Sequence, residues 1–456
     1  MPKSEFSTLS LSKEMLDNLQ EIGYKEMTPI QSESLPYILE ARDVIAQAKT
    51  GSGKTAAFGI GVLSKLHVKD FRVQSLILCP TRELADQVAK ELRVLARFTR
   101  NIKILTLCGG VAFGPQLGSL RHGAHIIVGT PGRVLKHLKK ESLSLKDMNM
   151  LVLDEADRML DMGFSEEINE VLEFVPSSRQ TLLFSATYTD EVMRISADIQ
   201  KDAINVKTTS IESKNRVSQL FYEIQDSQKL DLLLKIFAAH NPQNAIVFTN
   251  TKAKSQEVAD FLQDNKIDAL AIHGDMQQYE RVDVLVQFAN KSTPVLVATD
   301  VAARGLDIKE LSMVINYDIA HDKQTHTHRI GRTARAGEEG TAVTFFNSFE
   351  SDRADEYKDD NTVFEDADAL KGVEGFEMRP LNITLVIEGG KKDKLRAGDI
   401  LGALTKDAGL KSNEVGKIDI YDRQSYVAIR TDKIDDAYKR LSIGKIKGKK
   451  FSLWIL

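Results

Sequence analysis

The chain of 456 residues has only two cysteines, Cys79 and Cys108. Two thiols are too few for a disulfide framework or a structural zinc site. Each stands in an apolar run, SLILCP and ILTLCGG, where a small core residue of a reducing compartment is expected. Proline is scarce, with 10 residues, and the 42% hydrophobic and 28% charged content excludes the disordered and collagenous classes. No run reaches the roughly 18 uninterrupted apolar residues of a membrane-spanning helix. The start, MPKSEFSTLSLSKE, lacks the basic-then-apolar order of a secretory signal. A soluble cytoplasmic protein is the expectation. At about 100 to 200 residues per domain, the length implies two to four domains.

A small net charge of -4 conceals an asymmetry. Residues 381–456 carry 16 Lys and Arg against 10 Asp and Glu, whereas residues 1–380 carry 45 against 55. Between Glu350 and Glu377 there are 11 acidic residues against three basic ones. That stretch lacks a sustained apolar pattern and reads as a solvated helix end followed by a linker, residues 350–380. A basic module behind an acidic tether points to a polyanionic partner, although such a charge also serves plain solubility.

Short β-rich runs alternate with amphipathic stretches through most of the chain. The first series is DVIAQA, SLILCP, IKILTLCGG, HIIVGTP, MLVLDEAD and TLLFSAT, within residues 1–206. The second is LFYEI, AIVFTN, DALAIHG, PVLVATD, MVINYD and TAVTFF, within residues 218–349. This alternation predicts two α/β domains in tandem, each a parallel sheet with helices on both faces. The polar stretch between them predicts a hinge over residues 207–217. Residues 381–456 read differently, as β-α-β-β-α-β, the order of a small α+β sandwich of the RNA-recognition kind.

The segment Ala48, Lys49, Thr50, Gly51, Ser52, Gly53, Lys54, Thr55 follows the strand DVIA and runs into a helical pattern. Backbone N–H groups of such a loop cradle phosphates, Lys54 reaches the β- and γ-phosphates, and Thr55 reaches their magnesium. The strict pattern opens on Gly where this chain has Ala48, but GSGKT is intact. About 100 residues on, MLVL ends in Asp154-Glu155-Ala156-Asp157. A carboxylate at such a strand end holds Mg2+ (Asp154), and the next (Glu155) orients or deprotonates an attacking water. A lone acidic run of this kind also fits a helix cap. Its pairing with Lys54 and Thr55 favours catalysis.

The ordered motifs AKTGSGKT, PTREL (Pro80 to Leu84), TPGR (Thr130 to Arg133), DEAD, SAT (Ser185 to Thr187), ATDVAARGLD (Ala298 to Asp307) and HRIGRTARAG (His328 to Gly337) resemble those of the DEAD-box RNA helicases over residues 1–347. The resemblance implies two tandem RecA-like P-loop domains and RNA-stimulated hydrolysis of ATP with Mg2+, coupled to local unwinding of RNA duplexes. It implies that Gln31 reads adenine and Phe6 stacks on it, with Met27 standing where the family usually has Pro. It also implies that Gly305 and Asp307 approach the γ-phosphate and ribose. By the same resemblance Arg332 and Arg335 would face the γ-phosphate from the second domain, with Ala334 in place of the usual Gly, and Asp157, Ser185 and Thr187 would couple the sites. The resemblance also implies that Arg82, Gly110, Thr130 and Arg133 from the first domain bind the RNA backbone, with Asn250, Gly274, Arg281 and Thr299 from the second. An ATP-dependent RNA clamp with little unwinding is the alternative, and a DNA helicase is a weaker one.

The last 76 residues, with GGKKDKLRAGDILGALTKDAGL and GKIKGKK, resemble the C-terminal RNA-binding domain of the bacterial DbpA branch of that family. The branch implies targeting to a 23S rRNA hairpin and to pre-50S particles during ribosome assembly. The third strand, DRQSYVAIR, offers Tyr426 but not the two aromatics of the usual stacking platform. The basic loops are therefore the expected RNA contacts: Lys391, Lys392, Arg396, Lys445, Lys447, Lys449 and Lys450.

Overall fold

The computed structural model describes residues 5–48, 51–208, 217–303, 311–333, 340–372, 375–407 and 409–456. Lys49, Thr50, Gly305, Asp307 and Arg335, with most of the expected hinge, lie outside the described residues. The chain divides into two compact units that part between the seventh and eighth strands.

The first unit holds β1 (Val44–Gln47), β2 (Ser75–Leu78), β3 (Ile104–Leu107), β4 (Ile126–Gly129), β5 (Met150–Asp154), β6 (Gln180–Ser185) and β7 (Ile204–Lys207). They form one sheet in the order β3-β4-β2-β5-β6-β1-β7, paired in parallel throughout. Successive strand residues face opposite sides of the sheet. Val44, Ala46, Ile77, Val152 and Phe184 therefore enter one core, and Ile45, Leu76, Leu78, Leu151 and Leu183 the other. Because both faces are covered by helices, these strands read as unbroken apolar runs. β7 is the exception, an edge strand in which only Val206 is buried, and the apolar pattern misses it. Cys79 and Cys108 are free and buried.

The second unit repeats the design with β8 (Val217–Glu223), β9 (Ala245–Thr249), β10 (Ala269–Ile272), β11 (Val295–Thr299), β12 (Met313–Asn316), β13 (Gly340–Phe346) and β14 (Thr362–Glu365). Their order is β10-β11-β9-β12-β13-β8-β14. Here the structure corrects the sequence. Residues 350–380, expected as a solvated helix end followed by a linker, carry the helix Ser351–Tyr357 and then, in place of linker, strand β14, which pairs in parallel with β8. Ala354 and Tyr357 are buried with Phe221, Ile319 and Phe346, and Met378 bridges to Ile267. A few well-spaced anchors hold this strap, too sparse to stand out among so many carboxylates.

The C-terminal module belongs to the same unit. β15 (Asn382–Ile387), β16 (Val415–Ile420), β17 (Ser425–Arg430) and β18 (Leu453–Ile455) make an antiparallel sheet in the order β16-β17-β15-β18. The helices Ala397–Gly402 and Ile434–Ile443 pack on one face. The other face is covered by the helix Gln278–Ala289, whose Val286 is buried with Val386 and Tyr426. The Tyr426 hydroxyl donates to Asp283 Oδ1 at 2.9 Å. A polar knot closes the far end: Asn290 Nδ2 donates to Thr384 Oγ1 at 3.1 Å, and the Ser292 and Thr384 hydroxyls lie 2.7 Å apart. Tyr426, the one aromatic that strand offers, is thus an interior residue. No helix among the described residues is long and apolar enough to cross a membrane.

Candidate nucleotide and RNA sites

In the first sheet, the phosphate loop follows β1, the DEAD segment ends β5, and the SAT segment ends β6. These three strands are neighbours, and their C-terminal ends are where ligands of open α/β sheets bind. Gly53 caps the helix Lys54–Ser64 with a left-handed backbone, φ 93°. Its carbonyl accepts from Gln31 Nε2 at 3.1 Å, while Gln31 Oε1 accepts from the Thr28 N–H at 2.9 Å. A Cβ at Gly53 would meet Gln31 Nε2 at 2.5 Å and push that amide off the loop, and φ 93° itself favours glycine there. The glutamine expected to read adenine therefore braces the phosphate loop, with one N–H and one lone pair to spare. Phe6 departs from its expectation more clearly. Its ring is 4% exposed and meets Tyr24 edge-on, as a core side chain.

Lys54 is buried, and its Nζ donates to Ala48 O at 2.9 Å. The Ser52 hydroxyl and Asp154 Oδ1 are buried without hydrogen-bond partners among the described residues. Burial pushes the Asp154 carboxyl up to about 7; Lys54 opposes that rise and Glu155 adds to it. Glu155 adopts φ 55° and ψ 53°, a left-handed backbone that costs a non-glycine residue about 1 kcal/mol or more. Its Oε2 lies 3.5 Å from Arg158 Nε. Asp157 is fully engaged. Its Oδ2 accepts from the Ala186 N–H at 3.1 Å and from the Thr187 N–H and hydroxyl, each at 2.9 Å. The Ser185 hydroxyl donates to Thr187 O at 2.7 Å. The DEAD and SAT segments are thereby one hydrogen-bonded body.

The expected RNA residues of the first unit cluster on the other half of that sheet edge, after β2, β3 and β4. Arg82 opens the helix Arg82–Leu95 and lies so close over Gly110 that a Cβ there would overlap its guanidinium. Arg82 Nη1 has no hydrogen-bond partner among the described residues. Thr130 precedes the helix Pro131–Lys139, and its N–H donates to Leu107 O at 3.1 Å. Arg133 donates from Nη1 to Gln116 Oε1 at 2.8 Å and from Nη2 to Val111 O at 2.9 Å. Sequence reasoning missed the support beneath it. The buried His137 ring lies 3.1 Å from Gln116 Oε1 through Nε2 and is stacked at 4.1 Å on Phe113. Burial pulls that imidazole down to about 4, so it stays neutral at physiological pH.

The second unit repeats this layout. Asn250 follows β9, Gly274 follows β10, and Thr299 ends β11, three adjacent strands. Arg281 lies on the helix Gln278–Ala289, with Nη2 3.5 Å from Ala302 O. Thr299 Oγ1 accepts from the Ala302 N–H at 3.4 Å. Arg332 is buried, and its carbonyl accepts from the Leu311 N–H at 3.4 Å.

The DEAD/DEAH box helicase family matches residues 28–195, the helicase conserved C-terminal domain matches 228–337, and the DbpA RNA-binding domain matches 384–455. The chain is 51% identical to the ATP-dependent RNA helicase DbpA of Escherichia coli K12, covering 97% of this chain and 98% of that protein. This chain belongs to the DEAD-box RNA helicases. Bacillus subtilis DbpA is 35% identical over 99% of both chains. Among solved structures, yeast Dbp5 bound to RNA and ADP BeF3 is 31% identical with a TM-score of 0.73, spanning 80% of this helicase and 97% of that chain. Mss116p bound to single-stranded RNA and AMP-PNP is 27% identical with a TM-score of 0.72, spanning 80% of each chain. The helicase is thus an RNA-dependent ATPase built on two RecA-like sheets.

Arg329 of the helicase is a second residue that motif reading left without a role. Only 1% of its side chain is exposed, and Nε and Nη2 each donate to Asp300 at 2.7 Å. Nη2 also donates to Asn250 Oδ1 at 3.1 Å and Nη1 to Asp318 O at 2.6 Å. It ties the expected RNA residue Asn250 to the arginine-bearing helix end. Replacing Arg329 by Met strands Asp300, so the second lobe is expected to lose about 3 kcal/mol in urea unfolding of the full chain.

The expected RNA residues of the C-terminal module sit on adjoining loops and are exposed. Lys447 differs from the rest: its Nζ donates to Lys394 O at 2.7 Å and lies 3.2 Å from Asp399. It ties the two loops together. Lys391, Lys392, Arg396, Lys445, Lys449 and Lys450 remain at the surface.

Proposed function

We propose that this helicase couples RNA-dependent ATP hydrolysis to local separation of RNA strands in the cytoplasm. Its C-terminal module directs that work to a hairpin of the large-subunit ribosomal RNA in assembling particles. The layout of the first sheet carries the reading: β5, β6 and β1 end in the nucleotide residues, β3, β4 and β2 in the RNA residues. Both ligands lie along one edge, and the four hydrogen bonds that join Asp157 to Ala186, Thr187 and Arg158 stiffen its nucleotide half.

In this reading Lys54 and the N-terminus of its helix hold the phosphates, Gln31 holds the loop in place, and Glu155 takes the proton of the attacking water. The unpaired Asp154 Oδ1, an acidic oxygen beside the loop, fits a hard divalent cation, with the Thr55 hydroxyl as the second protein ligand. Mg2+ bound there neutralises charge on the phosphates. Arg332, and Arg335 by the same resemblance, belong to the other lobe, so hydrolysis waits for closure, which RNA held by both lobes favours. Arg82, Thr130, Arg281 and Asn250 contact sugar and phosphate, which carry no sequence.

Selectivity then falls to the module. Changing Lys391, Lys392, Lys449 and Lys450 together to Glu is expected to abolish the preference of the ATPase for the rRNA hairpin over unrelated RNA, while stimulation by the unrelated RNA persists. The salt dependence of hairpin binding is expected to flatten with the loss of those cations. Equal stimulation of the wild-type enzyme by hairpin and unrelated RNA overturns the targeting.

A further inference from the structure

The helix Gln278–Ala289 serves two surfaces at once. Arg281 points toward Ala302 and the ends of β10, β11 and β9. Val282, Asp283 and Val286 pack against the module. At 100° per residue, Tyr279 lies within about 40° of Asp283 and Val286 and about 160° from Arg281. It therefore continues the module-facing stripe by one turn, past the last contact. There its ring is 67% exposed, among the most exposed large apolar side chains of the described residues.

The direction of docking decides what lies beyond it. The polar knot of Asn290, Ser292, Asn382 and Thr384 holds the start of β15 to the C-terminal end of this helix. The end of β15 and the loop after it therefore lie toward the helix N-terminus, where β10 ends. That loop is the basic one: the Lys391 and Lys392 N–H groups donate to Tyr421 O and Asp422 O at 2.8 and 3.0 Å. Tyr421 in turn meets Tyr426 with ring centroids 5.4 Å apart. Tyr279 thus stands between the backbone-binding end of the second sheet and the basic loops of the module.

We propose that Tyr279 is a base-stacking site for single-stranded RNA that crosses this helix end on its way between the second lobe and the module. The inference rests on the reading of both surfaces as RNA-binding. The local charge selects a base over a phosphate. Glu280 is next in sequence and Asp283 one helical turn on, and the Tyr279 hydroxyl donates to Glu280 Oε1 at 3.3 Å, so a phosphate is repelled from this exposed ring. Stacking on an aromatic ring accepts any base, so the site adds grip without adding sequence preference.

The test uses the full-length enzyme and three RNAs: a hairpin with a single-stranded extension, the same RNA with an abasic extension, and the hairpin alone. Tyr279→Ala is expected to raise the KM for the extended hairpin about fivefold to tenfold at unchanged kcat, and Tyr279→Phe and Tyr279→Trp to restore it. Wild-type enzyme on the abasic RNA is expected to match Tyr279→Ala on the intact one, and the Ala variant to lose nothing further there. An unchanged KM for Tyr279→Ala, or the same loss on intact and abasic RNA, overturns the proposal. The hairpin alone separates it from the reading beneath it. Changing Lys391 and Lys392 to Glu weakens that RNA while Tyr279→Ala leaves it unchanged. A hairpin insensitive to the lysines overturns the module assignment, and one weakened by Tyr279→Ala overturns the stacking site.

Discussion

Replacing Glu155 by Gln is expected to lower RNA-stimulated ATP turnover by about 10²- to 10⁴-fold, the range of a positioned general base. The substitution is isosteric and removes only the charge and the proton-accepting oxygen. The groups proposed to hold the phosphates, Lys54 and the loop capped by Gly53, do not depend on it. Among the described residues, the ion pair lost is the 3.5 Å approach to Arg158. Equilibrium binding of a fluorescent ATP analogue and of RNA should therefore stay near wild type while phosphate release, followed in a coupled assay, collapses. Glu155 takes its left-handed backbone, φ 55°, directly after β5, and the Gln variant keeps the same Cβ there. Retained turnover in the Gln variant would remove Glu155 from the chemistry.

The second large effect is expected at Arg332. On the proposed reading, changing it to Ala removes a guanidinium from the transition state, and the expected loss in turnover is about 10³- to 10⁵-fold, that of a deleted arginine finger. Its backbone is fixed in advance: Leu311 pairs with Thr333 as an isolated bridge, and the Thr333 hydroxyl donates to Leu311 O. ATP affinity of the first lobe should survive, since its phosphate loop, Gln31 and Asp154 all lie in the other unit. Arg332→Lys keeps the charge but loses the planar fork and should recover only a small part of the rate. Turnover within tenfold of wild type in the Ala variant would place the catalytic charge elsewhere.

The two sheets were legible because parallel strands buried on both faces must be apolar throughout, as SLIL, IIVG and MLVLD are. β7 and β14 were not, since an edge strand needs little buried surface; Val206 alone is buried in one, and Val363 and Phe364 stay half exposed in the other. The linker reading of residues 350–380 failed for the same reason. The motifs named candidate site residues, yet motif spelling does not say what a side chain touches. Gln31 braces Gly53, Phe6 fills a core, and Lys447 ties two loops, each because a neighbour distant in sequence supplies the partner. His137 and Gln116, which support Arg133, carry no motif at all.

Chemistry of short range was written in the order of residues: a glycine loop before a helix, carboxylates at a strand end, arginines three residues apart. These depend on backbone conformation over a few residues, which local sequence dictates. Which face of the module meets the motor, and therefore that Tyr426 is interior while Tyr279 stands in water, was decided only by folding. Docking depends on shape and polarity matched between segments about 100 residues apart, and no local pattern encodes a match between two surfaces.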